Sequence, residues 1–96
     1  MFIVDLHYKV DLAIVDQFVV EHRLWLDKCY AANKLLCSGM KTPRTGGIII
    51  ALLTDLDQLN QLLTEDPFSI NKVADYTITE FKPSKCHQDF LKLKEI

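Results

Sequence analysis

The segment from Leu12 to Ala32 constrains the fold most, because its apolar residues recur with helical spacing. At about 3.6 residues per turn, residues three, four or seven positions apart share one helix face. His22 lies near the middle of that face, Asp11 is the expected N-cap, and Asn33 is the expected C-terminal stop. The apolar members of the face are Val15, Phe18, Val19, Trp25, Leu26 and Cys29. The pattern predicts a long amphipathic helix that aims an ionisable ring towards a core.

Four segments outside this helix have the composition of strands. Phe2 to Tyr8 and Ala74 to Phe81 alternate apolar and polar residues with the period of two that is typical of a strand. Lys34 to Ser38 has an apolar centre. Gly47 to Leu53 is a continuous, largely β-branched run, which predicts a strand buried on both faces.

A second helix is predicted between the third and fourth strands. Thr54 is its expected N-cap, because an acidic residue follows three positions later. Leu56, Leu59 and Leu63 form its apolar seam. The helix must end before Pro67, since the residue preceding a proline avoids helical angles.

The resulting order, β-α-β-β-α-β, is that of an α+β, ferredoxin-like fold in which both helices cover one face of the sheet. The opposite face then carries Ile3 or Phe2, depending on strand register, beside apolar residues of the third strand. Such a patch is large for a monomer. We therefore expect a second copy to pack sheet to sheet in a symmetric homodimer.

Composition bounds the domain organisation and the partners. A chain of 96 residues is expected to form a single domain, with a core of residues 1–83 and a short amphipathic tail of residues 84–96. The net charge is −2 and no element carries a dense Lys/Arg stripe, which argues against nucleic acid as a partner. The longest apolar run, Ile48 to Leu53, is too short to cross a bilayer, so no membrane partner is expected.

The cysteines indicate the compartment. Cys29, Cys37 and Cys86 form no CxxC pair, and this odd, scattered count is typical of reduced thiols in the cytoplasm. Cys29 and Cys37 are expected to be small core residues. No basic segment precedes the first strand, so no signal peptide is expected.

His22 and Asp66 are the candidate acid/base residues. Imidazole titrates near neutral pH and is tuned by a nearby carboxylate, which suits His22 to proton transfer. The alternative is a structural histidine satisfied within the core. Asp66 precedes Pro67-Phe68, so it is a candidate both to cap a turn and to accept a proton from His22.

Arg44 is the candidate anion-binding residue, because it stands beside Gly46-Gly47, where backbone amides are accessible to a carboxylate or phosphate. The spacing is not that of a P-loop, and the alternative is a solvated loop arginine. His7, His22 and His87 show no metal-ligand spacing, and no dinucleotide fingerprint occurs. We expect neither a metal nor a cofactor.

Several motifs together resemble the YciI-like (YCII-related) family, and the resemblance runs from Met1 to about Ser84. One part is the N-terminal strand, and another is the helix histidine followed by Leu24 to Tyr30. The remaining motifs are Ser38-Gly39, Pro43-Arg44-Thr45-Gly46-Gly47-Ile48-Ile49, Glu65-Asp66-Pro67-Phe68, Ala74-Asp75-Tyr76 and Glu80-Phe81.

The resemblance implies a ferredoxin-like fold that dimerises as an α+β barrel. It implies a dyad of His22 and Asp66, with Ser38, Arg44 and Gly47 lining the pocket. We expect a cofactor-independent acid/base enzyme, of the lyase, isomerase or dehalogenase type, acting on a small, anionic, carboxylate- or lactone-like compound. The alternative is a dimeric small-ligand-binding or accessory module in which the dyad is structural.

Overall fold

Strands and helices follow one another in the predicted β-α-β-β-α-β order. The computed structural model describes residues 1–96. The elements are β1 (Phe2–Tyr8), α1 (Leu12–Val15), a 3₁₀ turn (Asp16–Phe18), α2 (Val19–Ala31), β2 (Leu35–Met40), β3 (Gly46–Ala51), α3 (Leu56–Thr64), α4 (Pro67–Ile70), β4 (Ala74–Glu80) and a C-terminal 3₁₀ segment (Gln88–Glu95). None of the helices is both long and apolar enough to cross a membrane.

The four strands form one antiparallel sheet in the order β2-β3-β1-β4. β1 lies inside the sheet, where Val4 is paired with Ile49 on one side and Ile78 on the other. Two strands that are joined by a helix, β1 and β2 or β3 and β4, are therefore separated in the sheet by one other strand. This arrangement confirms the predicted ferredoxin-like α+β fold.

The register decides which face of the sheet the helices cover. Phe2, Val4 and Leu6 are almost completely buried, so Ile3 belongs to the opposite face. On β3 the side chains alternate in the same way, with Ile49 buried and Ile48 half-buried. β3 was predicted to be buried on both faces. In a single chain only the face towards the helices is fully buried, and the side chains on the other face are half-buried.

The first helix is interrupted, whereas the sequence predicted one continuous helix from Leu12 to Ala32. Phe18 leaves helical geometry, at φ −115° and ψ 1°, and a 3₁₀ turn separates α1 from α2. The surrounding residues are rich in β-branched side chains, which lose rotamer freedom in a helix and favour it weakly. The break places Asp16 in the turn, where its carboxylate forms an ion pair with Arg44 of the β2–β3 loop.

One predicted N-cap is wrong and another is confirmed in position only. Asp55, not Thr54, caps α3, because its carboxylate accepts bonds from two backbone N–H groups, those of Asp57 at 2.8 Å and Gln58 at 3.2 Å. Asp11 is the N-cap of α1 but makes no side-chain capping bond. Asn33 has a positive φ of 57°, as expected of a residue that stops a helix.

The strand after α2 differs from its predicted bounds and orientation. β2 extends to Met40, and its pairing with β3 is irregular between Leu35 and Cys37. This irregularity turns Cys37 to the face without helices, where it is exposed, so its predicted place in the core is wrong. Cys29 is buried, as predicted.

Gly46 allows the β1–β3 pair to close beneath the loop that carries Arg44. No glycine of the chain has a positive φ, so conformational freedom is not the reason for the residue here. A Cβ atom on Gly46 would lie 1.8 Å from the carbonyl oxygen of Leu6, far inside contact distance. Close backbone approach therefore requires glycine at this position.

Candidate functional site

A cavity of about 300 Å³ lies between α2 and the helix-covered side of the β2–β3 edge. Its walls are mostly apolar, as is typical of small-ligand pockets. The apolar and aromatic lining residues are Leu6, Tyr8, Val19, Leu26, Met40, Ile48, Ile49 and Phe68. The others are His22, Arg23, Ser38, Gly39, Arg44 and Gly47. Four of the five predicted site residues thus line one cavity.

Asp66, the fifth, lies behind the cavity wall with no exposed surface. It is the N-cap of α4, whose first residue is Pro67, and its Oδ1 accepts a bond from the Phe68 backbone N–H at 3.0 Å. Proline suits the first helical position because its missing N–H would have no partner there. The Asp-Pro-Phe sequence therefore fixes the direction of the carboxylate.

His22 and Asp66 are in direct contact, 44 positions apart in sequence. The ring Nδ1 lies 2.7 Å from Asp66 Oδ1. An ionised carboxylate only accepts hydrogen bonds, so Nδ1 carries the proton and donates it. No protein group bonds Nε2, and the His22 side chain keeps 13% of its surface exposed on the cavity side. The neutral ring therefore presents an unprotonated nitrogen to the cavity.

Phe68 fixes the plane of the His22 ring. The two rings stack with centroids 3.9 Å apart and an angle of 5° between their planes. Trp25 contacts the imidazole as well, with a centroid separation of 5.8 Å. The imidazole is thus held by one hydrogen bond and two aromatic neighbours.

Tyr76 completes the environment of the buried carboxylate, and the sequence analysis did not assign it to the site. Its hydroxyl donates to Asp66 Oδ2 at 2.5 Å. Burial and the neighbouring Asp66 charge raise the pKa of Tyr76 well above its ordinary value, so the phenol stays protonated as a donor. The available signal in the sequence was its place beside Ile78 on the apolar side of the alternating strand, since a buried phenol needs an acceptor.

Arg44 lines the cavity and is already bonded to a carboxylate. Its Nη2 donates to Asp16 Oδ1 at 2.6 Å, and its guanidinium lies 5.9 Å from the centre of the Tyr8 ring. The hydrogen bond to Asp16 is the main cause that raises the pKa of Arg44. The ion pair links the break in the first helix to the β2–β3 loop. No pattern in the sequence marks Asp16 for this contact.

Ser38 and Gly47 shape the β2–β3 wall. The Ser38 hydroxyl lies 2.7 Å from that of Tyr30, which ties the strand to α2. A Cβ atom on Gly47 would lie 3.0 Å from the Gly39 carbonyl oxygen, so a side chain is poorly accommodated there. Both residues are therefore restrained parts of the wall.

Other reactive groups do not converge on the cavity. Burial raises the pKa of the Cys29 thiol, which disfavours the reactive thiolate. No three His, Cys, Asp or Glu side chains lie close enough together to hold a metal ion. The chemistry of the cavity therefore rests on imidazole, guanidinium and hydroxyl groups.

Comparisons with known proteins add a family and a fold. The family model of the YCII-related domain matches residues 1–82. A comparison with curated proteins gave no match. Among solved structures, 5-chloro-2-hydroxyhydroquinone dehydrochlorinase (TftG) from Burkholderia phenoliruptrix AC1100, in complex with 2,5-dihydroxybenzoquinone, is similar. The match has a TM-score of 0.71 and covers 85% of this chain and 94% of the dehydrochlorinase chain. The sequence identity is 16%, so the similarity is one of fold.

The raised pKa of Tyr76 predicts a loss of stability at alkaline pH. An unfolded tyrosine ionises near pH 10.0, whereas the folded phenol keeps its proton, so the free energy of unfolding falls as the pH rises above about 10. One such group contributes a slope of up to about 1.4 kcal/mol per pH unit. Urea unfolding at several pH values, for the wild type and Tyr76→Phe, measures this slope.

The variant removes the titrating group, so its stability should fall less steeply above pH 10 than that of the wild type. Measurements at pH 7 record the separate effect of the lost hydrogen bond. Equal slopes for the two proteins would contradict the assignment.

Proposed function

The chain belongs to the YCII-related family, and from the geometry of its cavity we propose that it is a cofactor-independent acid/base enzyme. In this proposal His22 is the catalytic base and acid, and Asp66 positions it. The substrate is a small, anionic, carboxylate- or lactone-like compound. The observation that carries the proposal is the 2.7 Å bond between Nδ1 and Asp66, which leaves Nε2 without a protein partner beside the cavity.

The first step is removal of a proton from the carbon next to the substrate carbonyl or carboxylate. His22 Nε2 takes the proton, and the electron pair of the C–H bond moves towards the carbonyl oxygen to form an enolate. The ring becomes an imidazolium, whose charge the adjacent Asp66 carboxylate stabilises. Three donors, from His22, the Phe68 backbone and Tyr76, hold the carboxylate in place beside the ring.

The second step decides the reaction type. In an isomerisation, Nε2 returns the proton to another carbon of the enolate. In an elimination, the electron pair of the enolate forms a carbon–carbon double bond and expels a leaving group, such as chloride or a carboxylate, from the neighbouring carbon. The dehydrochlorinase activity named for the structural neighbour is an elimination, which favours this chemistry on the shared fold.

The β2–β3 loop supplies the groups that bind the anion. Arg44 lines the cavity, and only one of its five N–H donors is bonded to Asp16. Ser38 adds a hydroxyl, and Gly47 keeps the wall free of a side chain. We assign the substrate carboxylate to Arg44 and the developing enolate charge to the same positive region.

A binding or accessory module remains the second candidate. Asp66 caps α4 and is fully buried, so the carboxylate also has a structural role that needs no reaction. In this case the His22–Asp66 bond stabilises the fold and the cavity only binds its ligand. Substitution of the two residues separates the candidates.

We also propose that two copies form a dimeric α+β barrel in the cytoplasm. Ile3, Ile48 and Ile50 are half-buried on the sheet face that the helices do not cover. The carboxylates on this face are paired, Asp5 with Lys41 and Asp75 with Lys9. A second copy would bury the isoleucines about a two-fold axis. Three free thiols favour a reducing compartment.

The dimer predicts a constant molecular mass on dilution. Light scattering should give twice the chain mass of 11.1 kDa down to micromolar concentration. Ile50→Lys, on the uncovered face and outside the cavity, should shift the mass to that of a monomer, because it would place a charge between the two sheets. Asn60→Lys, on the exposed side of α3, is the matched control. A wild-type monomer at micromolar concentration would contradict the barrel.

The acid/base role predicts that His22→Gln and Asp66→Asn each lower activity by about 10²–10⁴-fold. A panel of small carboxylic acids and lactones in D₂O provides the assay, since NMR detects deuterium exchange at the carbon next to the carbonyl. Asp66→Asn keeps an oxygen for His22 and Phe68, and the Tyr76 hydroxyl can rotate to accept from its amide. The variant should therefore remain folded and lose mainly the charge.

Circular dichroism and light scattering control for loss of structure. Exchange at the wild-type rate in both variants, with lowered thermal stability, would identify the dyad as structural and contradict the enzyme proposal.

A further inference from the structure

We infer that the cavity is built for a compound with two negatively charged groups, and that Arg23 binds the second one. This inference rests on the proposed function only in taking the cavity as the ligand site. It does not depend on proton transfer. It assigns a role to a residue that the sequence analysis did not select.

Arginine and lysine are distributed differently around the cavity. The chain has two arginines and nine lysines. Both arginines line the cavity, and none of the lysines does. Arginine presents a planar, permanently charged fork that matches a carboxylate in two-point contact, whereas lysine acts as a point charge. The residue type suited to carboxylate recognition is therefore confined to this cavity.

The lining of the cavity contains no carboxylate, and Asp16, which lies outside the lining, pairs with Arg44 alone. Besides the Tyr8 phenol, the ionisable lining residues are His22, Arg23 and Arg44. Asp66 is buried behind His22 with both oxygens occupied. Because the whole chain has a net charge of −2, the positive charge of the cavity is a local feature. It favours anions over neutral compounds.

Arg23 makes no ion pair in the structure. Asp27 lies four positions further along α2, at the spacing that normally allows a helix surface pair. The pair does not form, and the Arg23 side chain borders the cavity instead. The second guanidinium is therefore free to bind a ligand without breaking a contact.

Arg44 differs because one of its donors is occupied by Asp16. Its Nε is buried and has no acceptor, which leaves a charged group incompletely satisfied. A ligand carboxylate at Arg44 supplies further acceptors for this group. The two guanidiniums then bind the two ends of a compound whose apolar body contacts Leu26, Met40 and Phe68.

Calorimetric titration with a charge series tests this inference. The probes are benzamide, benzoate, phthalate, isophthalate and terephthalate, which carry no, one or two charges on the same ring. None has an exchangeable C–H next to its carboxylate, so the series measures binding without reaction. We expect benzoate to bind more tightly than benzamide, and the best dicarboxylate about tenfold more tightly again.

Two substitutions assign the contacts. Arg23→Gln should abolish the gain from the second carboxylate and weaken benzoate much less than Arg44→Gln does. Arg44→Gln should weaken benzoate about tenfold or more, as expected for a lost charge-assisted hydrogen bond. Lys28→Gln, which removes a charge from the same helix outside the cavity, should leave the whole series unchanged.

Dicarboxylates that bind the wild type no better than benzoate would overturn the inference while the proposed enzyme still stands. The same holds if Arg23→Gln and Lys28→Gln have equal effects. A dicarboxylate preference that depends on Arg23, without deuterium exchange by any substrate candidate, would support the inference and reject the enzyme. Absence of binding by every probe would overturn the assignment of the cavity as an anion site.

Discussion

The buried carboxylate of Asp66 is the interaction on which the site depends. A charge with no exposed surface is costly unless hydrogen bonds replace the lost water. Here the donors come from three elements: the His22 ring of α2, the Phe68 backbone N–H of α4, and the Tyr76 hydroxyl of β4. One side chain therefore fixes the relative positions of two helices and a strand, and removal of any donor would leave part of the charge unsatisfied.

This arrangement also separates the charges of the site. Negative charge lies behind the imidazole, while the two guanidiniums lie along the cavity in front of it. In the proposed function, the carboxylate stabilises a proton on the ring, and the arginines attract an anionic substrate to its free nitrogen. The Arg44–Asp16 pair moderates this attraction, because a ligand at Arg44 competes with a carboxylate already bonded at 2.6 Å.

Periodicity was sufficient to predict the order of elements and the face of the first helix that carries His22. The Asp-Pro-Phe sequence also indicated where Asp66 would lie, because a cap before proline has few alternatives. The neighbouring glycines selected Arg44, the family resemblance added Ser38 and Gly47, and the structure places all three in the lining of one cavity. Their roles in binding and catalysis remain predictions.

The residues that sequence analysis missed depend on tertiary contacts. Tyr76 was placed correctly on its strand, but its acceptor lies ten positions away at the start of another helix. Asp16 is available to Arg44 only because the first helix breaks at Phe18, and weak helix propensity does not fix the position of such a break. Thr54 fitted the capping pattern, yet Asp55 accepts two N–H bonds because the chain enters α3 one residue later.

The proton on the His22 ring tests the central claim most directly. A two-bond ¹H–¹⁵N correlation spectrum of the neutral imidazole distinguishes its two nitrogens, with His22→Gln to assign the signals and the exposed His7 as an internal reference. The hydrogen bond between His22 and Asp66 predicts a protonated Nδ1 that donates to Asp66 and an unprotonated Nε2 that faces the cavity. A spectrum with the proton on Nε2 and a bare Nδ1 would contradict it, because the ring would then have no base to offer a ligand.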